Sequence, residues 1–231
     1  KSWLFTKPPD DWDGTKPFKR ELNDEECIRQ YESDEKLVRK GIIPVIIYDY
    51  TLKDELRTRA KVKALSTRVI CGSPLIKTML VKKYFGAFMN HFQSSFANTY
   101  SAIGMNVFSP DWDAMIRKLL EISFSGFDGD YKKFERYLSA QLARAILESI
   151  EAWYDKHGHP TIEEKTARLT LIDSIVHTLC KIGPYLFWKH FNNPSGNYLT
   201  ALINTQLGAL LMRLAWQALA KSSGNNPSMQ Y

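Results

Sequence analysis

The chain has few of the residues that mark disulfide frameworks or zinc ribbons. It contains three cysteines, an odd number, and none of them forms a Cys-x-x-Cys pair. This usage is typical of a reducing compartment, so we expect no disulfide partner and no zinc ribbon. The five histidines are scattered along the chain. Although His157 and His159 lie close together, no cysteine or carboxylate cluster flanks them closely, and a solvated turn is the better interpretation.

Long apolar runs and internal repeats are also missing. The most apolar stretch, residues 200–220, contains Asn204, Gln206, Arg213 and Gln217. These polar side chains favour a buried amphipathic helix over a membrane span, so we expect no transmembrane segment. The first residues lack the charged and apolar regions of a signal peptide, and none is expected.

What remains is the composition of a folded protein with a basic surface. Hydrophobic residues make up 44% of the 231 residues, charged residues 24% and aromatic residues 13%. Such values exclude a disordered chain. The net charge of +6 suits a nucleic-acid or phosphate partner without proving one. Because no composition break marks a linker, we predict one α+β unit, mostly helical with short antiparallel strands.

Local patterns place these elements along the chain. Helices are predicted at residues 23–40 with Asn23 as a possible N-cap, 75–98, 109–122, 132–156, 161–182 and from about 197 onwards. Extended segments are predicted at residues 42–52 with an interruption at Pro44, 66–72, 123–131 (a short strand or turn) and 184–191. An aromatic stripe in the second helix indicates core packing, and no cofactor is needed to explain it.

A basic segment, residues 53–75, is the first candidate for chemistry. Its cations are Lys53, Arg57, Arg59, Lys61, Lys63 and Arg68. If the segment is extended, the alternate cations from 57 to 63 share one face and could neutralise a polyphosphate. The alternative is a solvated edge strand, on which lysines block aggregation. Glu55 either reduces the positive charge of this segment or orients an arginine.

A second candidate lies between an extended segment and a helix, at residues 124–139. Asp128 and Asp130 are either ordinary helix caps or ligands of a hard cation such as Mg²⁺, which takes one or two protein carboxylates. Glu135 follows Asp130 by five residues, so both could face one pocket.

The third candidate is residues 192–214, "NNPSGNYLTALINTQLGALLMRL". An apolar stripe recurs at helical spacing and consists of Leu199, Ile203, Leu207, Leu210, Leu211 and Leu214. Ser195-Gly196 precedes the helix and allows close approach of the backbone to a ligand. Thr200 and Asn204 are four residues apart and offer hydrogen-bonding groups on one helix face. These two side chains either bind a ligand or pair with a neighbouring backbone.

The order of these segments resembles that of picornavirus-like RNA-dependent RNA polymerases. "KDELR" at 53–57, followed by Lys61, Thr67, Arg68 and Ile70, resembles the NTP-binding motif F of the family. "GDYKKFE" at 129–135 resembles motif A, and "SGNYLTALINT" at 195–205 resembles motif B. "GMNVFSPDW" at 104–112 resembles the segment ahead of motif A. Together the resemblance spans about residues 40–215.

The resemblance implies a role for each matching residue. Arg68 and Lys61 would contact the nucleotide triphosphate, with Arg57 supporting them. Asp130 would be the catalytic ligand of two Mg²⁺ ions, with Mn²⁺ as an alternative. The nucleotide-binding residues of motif B would be Ser195, Gly196, Thr200 and Asn204. Of these, the three polar side chains would read the ribose hydroxyls, and Gly196 would give the loop its mobility.

The resemblance also implies an architecture and partners. Residues 1–110 would be fingers with the NTP-binding motif, and residues 111–231 would be palm motifs A and B with intervening fingers helices. Motif C and the thumb are not found before Tyr231, so we expect a piece of a viral polyprotein that does not polymerise alone. Template and primer RNA, ribonucleoside triphosphates, a protein primer and the rest of the polyprotein are the implied partners. The implied location is the host cytoplasm, at membrane-associated replication sites.

Two departures from the family pattern and three alternatives stay open. Glu135 stands where motif A usually has Asp, and a register ending at Asp128 supplies that Asp but loses the metal ligand. Ser66 replaces a lysine that often precedes the Thr-Arg pair. The alternative functions are a non-catalytic RNA-binding module, a purely structural fragment and a reverse transcriptase-like polymerase, although Asn204 favours ribonucleotides.

Overall fold

The computed structural model describes residues 24–126, 128–132, 134, 138–190 and 193–224. Helices dominate these ranges. They are α1 (Glu25–Arg39), α2 (Arg59–Lys63), α3 (Leu75–Ser94), α4 (Pro110–Ile122), α5 (Ala140–His157), α6 (Ile162–Val176) and α7 (Thr200–Ser222), with a 3₁₀ turn at Phe96–Asn98. The strands are β1 (Ile47–Leu52), β2 (Val69–Gly72), β3 (Thr178–Ile182) and β4 (Tyr185–Lys189).

Side-chain caps explain where three of the helices begin. Asp24, not Asn23, is the N-cap of α1, and its carboxylate accepts a 2.8 Å hydrogen bond from the Cys27 amide. The predicted Ser-Pro-Asp start of α4 is confirmed, with Ser109 as N-cap. Thr161 forms a capping box at α6. Each cap satisfies amide groups that the first helical turn leaves unpaired.

The core is built mainly by the faces that α3, α5, α6 and α7 turn toward one another. The predicted aromatic stripe of α3 is buried here, which confirms its packing role. The stripe consists of Leu80, Tyr84, Phe85, Phe88, Met89 and Phe92. Only the first turns of α7 are buried in the same core, because Leu202, Ile203 and Leu207 are inaccessible whereas Leu214 is half exposed. Helices from both halves of the chain therefore share one core.

Two charged side chains pair inside this core. Arg168 of α6 donates to Glu151 of α5 through Nε at 2.5 Å and Nη2 at 2.9 Å. The side chains are only 4% and 6% exposed, respectively. The guanidinium also lies 4.2 Å from the centre of the Tyr154 ring. A bidentate geometry of this kind offsets the cost of removing both charges from water.

The sheet has the strand order β2-β1-β3-β4 and is mixed. β1 pairs antiparallel with β2, as predicted for short strands, and β3 pairs antiparallel with β4. The central pair, β1 and β3, is parallel, which the sequence analysis did not predict. Tyr48, Cys71 and Cys180 from three different strands form the small buried cluster of this sheet. β1 begins after the expected interruption at Pro44.

Two predicted helices were wrong in their bounds, and of the strand or turn predicted at residues 123–131 only the strand is excluded. The helix predicted for 161–182 ends at Val176, and the following residues form β3 because they pair with β1 and β4. The helix predicted from residue 132 begins only at Ala140, where Ser139 caps it. The parts of 123–131 that the structure describes contain no strand.

Among the described helices, none has the length and apolar character needed to cross a lipid bilayer.

Candidate nucleotide-binding site

A single carboxylate organises the basic segment that precedes β2. Glu55 accepts two hydrogen bonds from Arg68, at 2.9 Å from Nε and 2.5 Å from Nη2. Nη2 of Arg57 approaches the same carboxylate to 2.5 Å, and Nζ of Lys53 to 3.5 Å. The interpretation that Glu55 orients an arginine is therefore confirmed. Three cations around one anion leave an excess of positive charge that can attract a phosphate.

These contacts keep Glu55 ionised over a wide pH range. The hydrogen bonds from Arg68 are the main cause that lowers its pKa to about 2, and the charges of Arg57, Arg68 and Lys53 act in the same direction. The Glu55 side chain is 16% exposed, while the Arg68 side chain is 62% exposed. Arg68 is thus held through one edge of its guanidinium group, and its side chain is still open to solvent, as a residue that receives a soluble ligand must be.

The cations from 57 to 63 do not share a strand face, so that prediction was wrong. Residues Arg59–Lys63 form the short helix α2, which starts after Thr58 and ends before Leu65, a residue with a φ of 48°. Arg59 and Lys63 lie one helical turn apart, while Lys61 points in a different direction. Strong helix formers in "RAKVK" explain the outcome. Lys61 is exposed to solvent.

The Ser195-Gly196 loop contacts β2 directly. The backbone amide of Cys71 donates a 2.9 Å hydrogen bond to Oγ of Ser195. The amide of Gly196 donates a 2.8 Å hydrogen bond to the carbonyl oxygen of the same Cys71. A Cβ atom on Gly196 would lie 2.5 Å from that oxygen and 2.9 Å from the Ser73 nitrogen, so the contact requires glycine. The loop is therefore fixed three residues beyond Arg68.

The two polar residues at the start of α7 differ in their partners. The hydroxyl of Thr200 donates a 2.8 Å hydrogen bond to the Pro194 carbonyl, so it pairs with a neighbouring backbone and keeps only acceptor capacity. Asn204 is half-buried, and its Oδ1 lies 3.5 Å from Nδ2 of Asn193. Its Nδ2 donors have no partner among the described residues, so they are available to a ligand hydroxyl.

The predicted catalytic carboxylate takes part in none of these contacts. Asp130 is exposed in the segment between α4 and α5, and it has no hydrogen bond or ion pair within the described residues. Asp128 is exposed as well. Glu135, the predicted partner of the motif B asparagine, lies outside the described residues. No group of three metal-ligating side chains is found in the part of the chain that the structure describes. These residues alone therefore do not form a complete metal site.

Several residues that hold the predicted site residues in place were not predicted from the sequence. The Cys71 backbone was not predicted to receive the Ser195-Gly196 loop, because nothing local links residues 124 positions apart. Asn193 and Asn197 were also missed, although the asparagine-rich run before α7 was a signal. Nδ2 of Asn197 lies 3.4 Å from Oδ1 of Asn193, and Oδ1 of Asn197 accepts from the Leu199 amide at 3.3 Å.

Comparison with known proteins shows that these segments lie within one matched protein family. The sequence profile of viral RNA-dependent RNA polymerases matches residues 18–230. The chain belongs to this family. The chain is 33% identical to the genome polyprotein of Rice tungro spherical virus (strain Vt6) over 208 residues, 89% of this chain and 6% of the polyprotein. It is 30% identical to the replicase polyprotein of Cricket paralysis virus over 197 residues, 83% of this chain and 11% of the polyprotein.

The fold of the chain is also found in a solved structure. It is similar to the solved structure of a Sicinivirus 3Dpol RNA dependent RNA polymerase, with a TM-score of 0.65 and 19% identity. The similarity covers 98% of this chain and 42% of the other. The resemblance to picornavirus-like polymerases is thus confirmed at the level of family and fold. The chain spans only a small part of the polyproteins that it matches and less than half of the solved polymerase.

Proposed function

We propose that the chain forms the fingers and part of the palm of an RNA-directed RNA polymerase of a positive-strand RNA virus. In the complete protein, this enzyme adds nucleotides from ribonucleoside triphosphates to the 3′-hydroxyl of a primer RNA on an RNA template. Residues 1–110 contribute fingers with the NTP-binding motif. Residues 111–231 contribute palm motifs A and B with intervening fingers helices. Helices of both ranges pack in one core, which supports a single structural unit.

The contact between the Ser195-Gly196 loop and β2 is the observation that carries this proposal. It brings the polar start of α7 next to the strand that follows Arg68. Phosphate recognition needs exposed, oriented guanidinium groups, and Arg68 and Arg57 are oriented by Glu55. Sugar recognition needs free hydrogen-bonding groups, which Ser195 and Asn204 retain. We assign Arg57, Lys61 and Arg68 to the triphosphate and Ser195, Thr200 and Asn204 to the nucleoside, with Gly196 as the nucleotide-site residue that lets the loop approach β2.

The carboxylate of Asp130 is proposed to act on the chemical step, through a divalent cation held in the complete polymerase. Mg²⁺ is the proposed ion, with Mn²⁺ as an alternative, since hard cations prefer carboxylate oxygens. A bound cation would supply charge stabilisation to the transferred phosphoryl group. The described residues contain no group of three metal-ligating side chains, so the ligand set around Asp130 is not complete within them. Glu135 is proposed to help position the nucleotide sugar.

Substitution of the two exposed aspartates tests the catalytic assignment. In the complete polymerase, Asp130→Ala should abolish primer extension and leave RNA binding intact, because only the proposed metal ligand is removed. Asp128→Ala is the matched control and should retain synthesis. Loss of synthesis with Asp128→Ala alone would contradict Asp130 as the catalytic carboxylate. Full synthesis by both variants would contradict a catalytic role for this segment.

A non-catalytic RNA-binding module is the rival function, since a basic chain fits it as well. That function predicts RNA binding that weakens with salt and does not depend on nucleotide or divalent cation. If the chain is part of a polymerase, nucleotide bound to the complete protein should protect the Arg68 side chain from chemical modification and the Ser195 loop from amide hydrogen exchange. We propose that this chain is part of a viral polyprotein and that viral RNA replication takes place in the host cytoplasm at membrane-associated sites. A protein primer is part of the same proposal.

A further inference from the structure

The edge of the small sheet at Cys71 is the feature that carries an inference beyond nucleotide binding itself. β2 is an outer strand of the sheet, so one of its edges has no neighbouring strand among the residues that the structure describes. At this edge both backbone groups of Cys71 are used by the loop ahead of α7: its amide by Ser195 and its carbonyl oxygen by Gly196. A loop residue pair thus replaces a missing strand partner.

The contact is too close to be incidental. A Cβ atom on Gly196 would lie 2.5 Å from the Cys71 carbonyl oxygen and 3.2 Å from the Gly72 Cα atom. The near atoms belong to backbone, which cannot move aside as a flexible side chain can. By contrast, a Cβ atom on Gly208 of α7 would meet nothing within 4 Å. The contact therefore requires glycine at position 196. Position 208 has room for a larger residue and provides a matched control.

The contact also determines what the Ser195 hydroxyl can do. Its oxygen accepts from the Cys71 amide, and a hydroxyl has one proton left to donate. The loop is thereby fixed to the strand that begins directly after Arg68, whose guanidinium Glu55 orients. Because a strand is nearly inextensible along its length, the spacing between the Arg68 backbone and the Ser195 hydroxyl is fixed.

We propose that the backbone of Cys71 is a positioning element that couples phosphate binding to sugar reading. The Ser195-Gly196 loop binds β2, and this attachment holds the Ser195 hydroxyl at a set distance from Arg68 with its proton directed to the nucleotide. Gly196 acts through this attachment and not by touching the substrate. This inference rests on the proposed polymerase function. It identifies the contact that keeps Arg68 and the Ser195 hydroxyl at a constant distance.

The attachment is tested by amide hydrogen exchange in the complete polymerase. Gly196→Ala should raise the exchange rate of the Cys71 amide about tenfold, because the added methyl group separates the loop from β2. Ser195→Ala removes the acceptor without a clash, so it gives the same readout if Gly196→Ala does not fold. Gly208→Ala is the control and should leave exchange unchanged. Unchanged exchange at Cys71 in both loop variants would overturn the proposal.

The positioning role is tested by kinetics with the same proteins. Gly196→Ala should lower kcat/KM for ribonucleotides roughly ten- to hundredfold and reduce the preference for ribonucleotides over deoxyribonucleotides, since a displaced hydroxyl no longer reads the sugar. Affinity for primer-template RNA should stay constant, and Gly208→Ala should behave as the unmodified enzyme. Faster exchange of the Cys71 amide with unchanged nucleotide kinetics would mean that the contact only protects the edge of the sheet, and it would overturn the positioning role. Asp130→Ala separates the two proposals, since it should abolish synthesis and leave exchange at Cys71 unchanged.

Discussion

Replacing the buried lysine of α3 gives a test of the core that depends on pH. Lys77 is only 1% exposed, and its amine donates to the Leu171 carbonyl oxygen at 3.3 Å and to the Ser174 hydroxyl. Burial lowers the pKa of Lys77 from 10.5 to about 7. The folded protein therefore binds fewer protons at this site than the unfolded chain between these values, and stability should rise with pH across that window.

The magnitude follows from this difference in pKa. Keeping Lys77 buried costs about 4 kcal/mol at pH 7 and about 2 kcal/mol at pH 9, because the unfolded lysine gains less from its charge as pH rises. Lys77→Met removes the titrating group and keeps most of the volume. The difference in unfolding free energy between the two proteins should therefore change by about 2 kcal/mol from pH 7 to pH 9, in favour of the unmodified chain.

Urea unfolding of both proteins at these two pH values measures the change. Comparing the difference between variants cancels every other titrating group that they share. Lys82→Met is the matched control, because Lys82 lies on the same helix and is exposed. The difference in unfolding free energy between Lys82→Met and the unmodified chain should stay constant with pH. The reasoning is refuted if Lys77→Met shows the same constancy, which would mean that Lys77 keeps its charge in the folded protein.

Two further substitutions test charged pairs. Glu151→Gln should lower the unfolding free energy by about 3–5 kcal/mol, since it leaves the buried charge of Arg168 unpaired. The exposed Glu148→Gln on the same helix should cost under about 0.5 kcal/mol, and equal effects in urea unfolding would argue against the buried pair. Glu55→Gln should raise the KM for nucleotides roughly tenfold and change kcat less, because it releases Arg57 and Arg68 from their orientation. An unchanged KM in the complete polymerase would show that the two arginines need no orienting carboxylate.

Local chemistry explains the parts of the fold that the sequence predicts correctly. Helix spacing identified the buried stripe of α3, and the Ser-Pro-Asp signal identified the start of α4. Proximity in sequence also made Glu55 a candidate partner for the arginines around it, which the ion pairs confirm. Each of these features depends on residues within a few turns or within one short segment, so a single sequence contains the necessary information.

The largest error in the predicted elements occurs where distant pairing decides the structure. Residues Thr178–Ile182 continue a helical pattern, but they become β3 because β1, about 130 positions earlier, pairs with them in parallel. The close approach expected at Ser195-Gly196 does occur, yet its partner is the Cys71 backbone. In α2 the opposite happened, since local helix propensity prevailed over the strand that the spacing of cations suggested.

The described contacts separate the proposed site into an assembled part and an open part. Glu55, Cys71 and Ser195 connect the elements assigned to phosphate and sugar through contacts within this chain. Asp130 has no such partner among the described residues, and a lone exposed carboxylate cannot hold a divalent cation in defined geometry. Changes in the assembled part should therefore act first on nucleotide affinity and sugar choice, whereas Asp130 should act on the chemical step. Kinetic constants measured for the two groups of variants distinguish these effects, because a loss of binding raises KM and a loss of transition-state stabilisation lowers kcat.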